Sequence, residues 1–269
     1  GDDRPGAGRT RVSAMQLSEL FSLDGRTALV TGGNSGIGRT MALALAEAGA
    51  DVAVVGRDEM RLSAVTTEIR ALGRRAFSVS ADLGDRGQVT DAAAAVTEAL
   101  GAPDILICAA GINERPSMRE LDENVWDRAM RVNLDAPFLL ARALAPAMAA
   151  RGWGRIINLA SLQSVRSFNN SGAYGVSKAG VAQLTRTLAE AWSGSGVNCN
   201  AIAPGFFPTP LTRAVFDDPA RAAAVASRTM IGRNGALDDL RGATVFLASR
   251  ASDYITGQVL FVDGGFSAG

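Results

Sequence analysis

Thr27-Ala28-Leu29-Val30-Thr31-Gly32-Gly33-Asn34-Ser35-Gly36-Ile37-Gly38 is the stretch that decides the fold of this chain. Its first five residues form a short apolar, β-branched run that reads as a buried strand. The glycines that follow permit a tight turn and let the backbone approach a charged group closely. From Gly36 to about Gly49 the pattern is helical. A strand that passes through a glycine turn into a helix leaves free N–H groups at the helix start, where they can meet a pyrophosphate. In that context Gly32, Asn34, Ser35, Gly36, Ile37 and Gly38 form a candidate dinucleotide loop. The spacing Gly-x3-Gly-x-Gly departs from the commoner Gly-x-Gly-x-x-Gly, and without its context the segment would read as a plain strand-to-helix turn.

Working outward, the same rhythm repeats. Strand candidates are Thr27–Thr31, Asp51–Gly56, Ala76–Ser80, Asp104–Cys108, Arg155–Ala160, Asn198–Ala203 and Gln258–Val262, separated by Ala-rich helical patterns. Parallel strands need crossover helices, so strand-then-helix alternation predicts a parallel sheet covered on both faces. Right-handed crossovers make it doubly wound. The expected fold is therefore α/β, a single domain with a sheet of about seven strands. At 269 residues with 47% hydrophobic and 20% charged residues, the chain can build such a core. Residues 1–14 lack periodicity and are expected to be a disordered extension or a cloning remnant, leaving 15–269 as the domain. The longest irregular stretches, Leu162–Gly172 and Gly205–Gly235, each follow a strand and are the candidate substrate loops.

Composition narrows the function classes. The formal net charge is zero, so no broad field exists to attract nucleic acid or anionic lipid. No run reaches the roughly 18 apolar residues of a membrane span, and the N-terminus has no apolar signal core; the expected location is cytoplasmic. Cys108 and Cys199 lie in apolar runs and read as buried thiols. Histidine is absent, which removes Ser-His-Asp triads and histidine-bearing metal sites, and no metal is expected.

The second strand ends at Gly56-Arg57-Asp58. An acidic residue about 20 residues after the first glycine would bind the ribose hydroxyl of NAD, whereas an arginine accommodates the 2′-phosphate of NADP. Arg57 therefore favours NADP(H) over NAD(H), with Asp58 readable as a helix cap. Asp82, after the third strand, is placed at the adenine with Leu83, or caps the helix beginning near Gly84.

Tyr174-Gly175-Val176-Ser177-Lys178 puts a phenol and an ammonium four residues apart, on one face of a helix. A phenol with an ordinary pKa of about 10 exchanges protons near neutrality only if its anion is stabilised, and a neighbouring ammonium does that. Lys178 is the only lysine beside 26 arginines. It is a compact, titratable charge able to join a proton relay, as a guanidinium is not.

With these motifs the chain resembles the short-chain dehydrogenase/reductase family from about Leu23 to Phe266. The likeness rests on the Thr-Gly-x3-Gly-x-Gly loop, the Tyr-x3-Lys pair, and Ser161 thirteen residues before Tyr174. It implies a Rossmann-type sheet. It also implies that Ser161 holds the substrate oxygen, Tyr174 passes the proton, and Lys178 binds the nicotinamide ribose and lowers the tyrosine pKa. Asn133 matches the family's helical asparagine, whose region holds a relay water. Pro137, which has no N–H, offers a reason for a free carbonyl at Asn133. Pro204, Gly205, Phe207 and Thr209 match the segment at the nicotinamide end, and Val262-Asp263-Gly264-Gly265 matches the family's terminal segment. One departure is Cys108-Ala109-Ala110-Gly111 in place of Asn-Asn-Ala-Gly. Ala109, Ala110 and Gly111 are still expected along the adenine ribose, with the missing amides replaced by other contacts.

Within the family, Gly232–Gly235 and Ala251–Gln258 resemble gluconate 5-dehydrogenases and deoxygluconate dehydrogenases, with 3-oxoacyl-carrier-protein reductases close behind. The expected reaction interconverts a secondary alcohol and a ketone on a small molecule. Asn113, Arg115, Gln163, Arg166, Asn169 and Asn170 would suit a hydroxylated or acidic substrate, and Arg115 or Arg166 a carboxylate; Phe206 and Phe207 would equally suit an apolar ketone. Helices over Asn124–Arg151 and Ser171–Gly194 are long enough to present a second apolar face, and the resemblance implies pairing through such helices, so a homodimer or homotetramer is expected. Two rival readings stay open: a non-catalytic NADP-binding sensor, and an epimerase or dehydratase of the extended relatives.

Overall fold

The computed structural model describes residues 15–269; the expectation for residues 1–14 lies outside the described residues. After a short helix α1 (Leu17–Phe21) the chain alternates strand and helix. The first half runs β1 (Thr27–Thr31), α2 (Gly36–Glu47), β2 (Asp51–Gly56), α3 (Glu59–Ala71), β3 (Ala76–Ser80), α4 (Arg86–Leu100) and β4 (Ile105–Cys108). The second half runs α5 (Glu123–Met130), α6 (Ala136–Ala150), β5 (Gly154–Leu159), α7 (Gly172–Trp192), β6 (Val197–Pro204), α8 (Arg213–Phe216), α9 (Pro219–Ala226), α10 (Arg241–Ala248) and β7 (Val259–Val262).

The strands form one parallel sheet in the order β3-β2-β1-β4-β5-β6-β7. The order reverses between β1 and β4, and a crevice opens there at the carboxyl ends of the strands. Alternation along each strand feeds two cores. Val30, Val54 and Ile107 pack with Leu45 of α2, Ile69 of α3 and Leu247 of α10. Leu29, Val55 and Leu106 pack on the other face with Val96 of α4, Leu140 of α6 and Leu188 of α7. Every residue of β1, β4, β5 and β6 is buried, which is why those strands read as continuous apolar runs. Among the described residues no helix is long and apolar enough to cross a membrane.

The seven expected strands are all present, with ends shifted by a residue. Asp104 leaves β4 because its carboxylate is engaged with the chain: it accepts from Thr27 N–H at 3.1 Å and pairs with Arg26 and Arg151. Three differences go further. The stretch Asn124–Arg151 is not one α-helix, because a π turn over Arg131–Asp135 joins α5 to α6, with Ala136 N–H reaching back to Arg131 O. Pro137 in the first turn of α6 lacks the N–H that a regular ladder would need. The stretch Gly205–Gly235 is partly helical. Asp218 caps α9 by accepting from Ala220 and Arg221 N–H, and Pro219 stands at its first position. Finally, α4 is capped by Asp85 rather than Asp82.

Arg155 in β5 is 1% exposed. Its guanidinium donates to Ser249 O, Gly154 O and the Asp253 carboxylate, and lies 4.4 Å from the Trp153 ring centre. Because the Asp253 side chain is itself half exposed, and Arg155 keeps its two carbonyl partners, losing this carboxylate costs less than losing a fully buried partner, about 1–2 kcal/mol. Asp253→Ala is therefore expected to lose about that much stability in urea unfolding, whereas Asp238→Ala, whose carboxylate is 85% exposed, should lose almost none.

Candidate active site

The crevice at the reversal point is a cavity of about 990 Å³. One wall is the glycine loop between β1 and α2. Gly32 has φ +66° and a Cβ there would lie 2.8 Å from the Ala110 backbone; a Cβ on Gly38 would lie 2.3 Å from Gly32 O. Both positions need glycine, the first for its left-handed backbone and each for close approach. The N-terminus of α2 opens on the cavity through Ser35, Gly36 and Ile37, so its unpaired N–H groups face the space that an anion would fill.

Every residue expected at the cofactor lines this cavity: Asn34 with the loop, Arg57, Asp82 and Leu83 beyond β2 and β3, Ala109 to Gly111 beyond β4, and Pro204, Gly205, Phe207 and Thr209 beyond β6. Arg57 is exposed and forms no ion pair among the described residues. Asp58 is engaged as the cap of α3, accepting from Arg61 N–H at 3.1 Å and pairing with the Arg61 guanidinium. Asp82 accepts from Gly84 N–H at 2.9 Å, which shapes the bend while leaving the carboxylate on the cavity. The dipeptide Ala109-Ala110 is held by Thr31, whose hydroxyl oxygen accepts from Ala110 N–H at 3.3 Å. That contact ties β1 to the β4 loop without the missing asparagine amides.

Ser161, Tyr174 and Lys178 converge on the cavity from the end of β5 and the first turns of α7. Ser161 Oγ accepts from Gln163 N–H at 3.1 Å, and its hydroxyl is near enough to the Tyr174 phenol to act downward on the phenol's pKa. Lys178 is 3% exposed, and its ammonium donates to Leu159 O at 2.6 Å. It lies 5.7 Å from the centre of the Tyr174 ring. Asn133 stands apart: fully buried, it does not line the cavity. Its amide donates to Ile112 O and Ser177 Oγ, each at 3.0 Å, and its carbonyl oxygen accepts from Ile112 N–H at 2.9 Å. The side chain thus joins the β4 loop to α7. Of the polar residues expected near substrate, Asn113, Arg115 and Gln163 line the cavity, while Arg166, Asn169 and Asn170 do not. Phe206 and Phe168 complete the wall, their ring centres 6.3 Å apart.

The electrostatics differ from the simple expectation that the ammonium leaves the phenol acidic. Burial raises the Tyr174 pKa above its ordinary value, while the Ser161 hydroxyl and the Arg115 charge act downward. Burial also lowers Lys178 to about 8.

Comparison with known proteins follows the same lines. A family profile described as enoyl-(acyl carrier protein) reductase, adh_short_C2, matches residues 32–267. The chain belongs to the short-chain dehydrogenase/reductase family. It is therefore an oxidoreductase. It is 39% identical over 253 residues to a gluconate 5-dehydrogenase of Gluconobacter oxydans, covering 94% of this chain and 99% of that protein. It is 41% identical to a 2-dehydro-3-deoxy-D-gluconate 5-dehydrogenase of Pseudoalteromonas atlantica, covering 93% of this chain and 99% of the relative. The solved gluconate 5-dehydrogenase of Burkholderia cenocepacia, in complex with NADP and tartrate, is 40% identical and superposes with a TM-score of 0.90, covering 94% of this chain and all of that one.

A lysine whose burial lowers its pKa to about 8 is a stability liability with a definite sign. Between pH 8 and the ordinary value of 10.5 the unfolded chain holds this proton and the native one does not, so stability rises with pH across that window. The lowering corresponds to about 3 kcal/mol near neutrality, less about 1 kcal/mol for the bond to Leu159 O. Lys178→Met is thus expected to stabilise the fold by about 2 kcal/mol at pH 7 in urea unfolding, and the gain should fade as the pH approaches 10.5.

Proposed function

We propose that this chain is an NADP(H)-dependent dehydrogenase/reductase interconverting a secondary alcohol and a ketone on a sugar acid or polyol, with Tyr174 exchanging the proton. The observation that carries this reading is the convergence of the phenol, Ser161 and the buried ammonium at the inner end of the glycine-lined cavity. The sugar-acid relatives and the NADP in the solved relative support the ligand classes.

The cavity fits a dinucleotide on its own terms, with glycines where a Cβ would collide, a helix N-terminus for a pyrophosphate and Arg57 unengaged beyond β2. Arg57 would hold the 2′-phosphate, Asp82 and Leu83 the adenine, and Lys178 the ribose beside the nicotinamide. Bound there, the nicotinamide supplies or accepts the hydride. The rest is the work of this chain's own groups. Ser161 accepts from Gln163 N–H, so its own proton is free to point at Tyr174 or a substrate oxygen. Burial keeps Tyr174 protonated at neutral pH, which suits it to give a proton to a carbonyl oxygen during reduction. In oxidation the phenol must first lose that proton, helped by the Ser161 hydroxyl and the Arg115 charge. Arg115, exposed at the cavity and in no ion pair among the described residues, is placed to meet a substrate carboxylate. Asn133 acts as a positioning residue for the β4 loop and α7 rather than at the substrate.

A homodimer or homotetramer through α6 and α7 is part of the same reading, supported by Phe138 and Val176, which are 44% and 47% exposed on those helices. Two free, buried cysteines fit a reducing, cytoplasmic setting.

Oxidation of D-gluconate, deoxygluconate and galactitol, and reduction of 3-oxoacyl thioesters, followed through NADPH and NADH absorbance, test the assignment. Sugar-acid turnover with NADP is the expected result; thioester preference or no turnover would point to the acyl reductase or the sensor. Alcohol oxidation should quicken with rising alkaline pH, and ketone reduction should slow, because the phenol titrates above its ordinary range. Tyr174→Phe should abolish turnover with the NADPH Kd held within about twofold, since the ring and its packing remain. Arg57→Ser should raise the NADPH Kd at least about tenfold and leave NADH binding unchanged, as the loss of one charged hydrogen-bonding partner predicts; equal effects on both nucleotides would remove the arginine from the 2′-phosphate.

A further inference from the structure

Ser161 and Tyr174 come from different elements, the end of β5 and the start of α7, and something must fix the distance between them. The helix itself sets Tyr174 relative to Lys178. Nothing in the backbone ladders sets Ser161 relative to that helix, because β5 ends at Leu159 and the chain turns away through a single 3-10 turn over Leu162–Ser164. The Lys178 ammonium ties α7 to Leu159, and one side-chain oxygen ties it to the turn that carries Ser161 itself. Ser164 Oγ accepts from Ser161 N–H at 3.2 Å and donates its proton to Lys178 O at 2.7 Å. Ser164 N–H also returns to Ser161 O at 2.9 Å, so the two serines form a closed box around the turn. The same box aims Gln163 N–H at Ser161 Oγ, which occupies a lone pair of the reactive hydroxyl and frees its proton for the phenol.

We propose that Ser164 is the positioning residue of this site: through one hydroxyl it locks the backbone of Ser161 to the backbone of Lys178, and so sets where the Ser161 hydroxyl stands relative to the Tyr174 phenol. It does not line the cavity, and it acts only through the groups it holds. The inference rests on the dehydrogenase reading for its kinetic arm and on geometry alone for its spectroscopic arm. Without the hydroxyl, Ser161 N–H loses its acceptor and the turn is free to drift from α7. An ångström of drift at a reacting group costs about tenfold to a hundredfold in rate.

Ser164→Ala, Ser164→Thr and Tyr174→Phe are compared with the wild-type full chain. In Ser164→Ala, kcat for D-gluconate with NADP should fall at least about tenfold while KM for gluconate and the NADP Kd stay within about twofold, because only orientation at the reacting atoms is lost. Ser164→Thr, which keeps the hydroxyl, should recover most of kcat. The second arm follows tyrosinate absorbance through alkaline titration in a Tyr254→Phe background, which leaves Tyr174 as the only tyrosine. Drift of the Ser161 hydroxyl removes one of the groups that pull the phenol down, so Ser164→Ala should move the Tyr174 midpoint upward. Unchanged kcat with an unmoved midpoint overturns the proposal, as does a loss shared equally by kcat and NADP affinity. Activity that survives Tyr174→Phe removes the phenol from proton exchange instead, and an inactive wild type defeats the dehydrogenase reading while leaving the titration midpoint to decide the role of Ser164.

Discussion

The structure is organised around an ammonium that has been taken out of water. Lys178 sits on α7 with its charge against the carbonyl of Leu159, the last residue of β5. That contact joins helix to sheet at the point where the cavity ends, and it is costly, since burial drives the lysine toward neutrality. An arginine would not be equivalent, because a guanidinium spreads its charge over several donors and does not give up its proton. The composition carries the trace of this: a chain that uses arginine for 26 of its 27 cationic side chains makes its one exception here.

Around that charge the site is assembled in tiers. Ser161 and Tyr174 face the cavity. Behind them the buried Asn133 and Ser177 and the half-buried Ser164, none of which lines the cavity, connect the β4 loop, the β5 turn and α7 through hydrogen bonds of 2.7 to 3.2 Å. Buried polar groups of this kind stabilise only when each finds its partner. Asn133 satisfies the rule completely, with both ends of its amide engaged. The outer wall is different in kind. Phe168, Phe206 and Phe266 pack with ring centres 5.5 to 6.3 Å apart, and Arg228 lies 4.3 Å from the centre of the Phe266 ring. Thus the end at Ser161, Tyr174 and Lys178 is held by directional bonds, and the phenylalanine wall by contact area.

Much of this was legible in the residues because period and spacing are local. Strands buried on both faces read as apolar runs, and the glycine loop and the Tyr-x3-Lys pair carry their geometry in a few consecutive positions. What escaped was contact between distant segments. The place of Asn133 in the chain spoke only for its main-chain carbonyl; nothing local announced that its side chain turns to Ile112 and Ser177, 21 and 44 residues away. The direction of the Tyr174 shift was missed for the same reason: the spacing revealed the ammonium but not the depth of burial. The helix α9 was a lapse of a different sort. Asp218-Pro219 is a cap followed by a first-turn proline, and the signal was there to be read.

A last consequence concerns how the nucleotide end of the cavity can change. Gly56 ends β2 with no side chain, and the Asn34 amide fills the vacated space so closely that a Cβ would stand 2.8 Å from it. The two positions are therefore steric complements, one on the glycine loop and one on the neighbouring strand. Any side chain at 56 demands a new rotamer or a smaller residue at 34. A reshaping of the nucleotide grip that leaves Asn34 in place is channelled toward Arg57 and Asp58, beyond the end of the sheet.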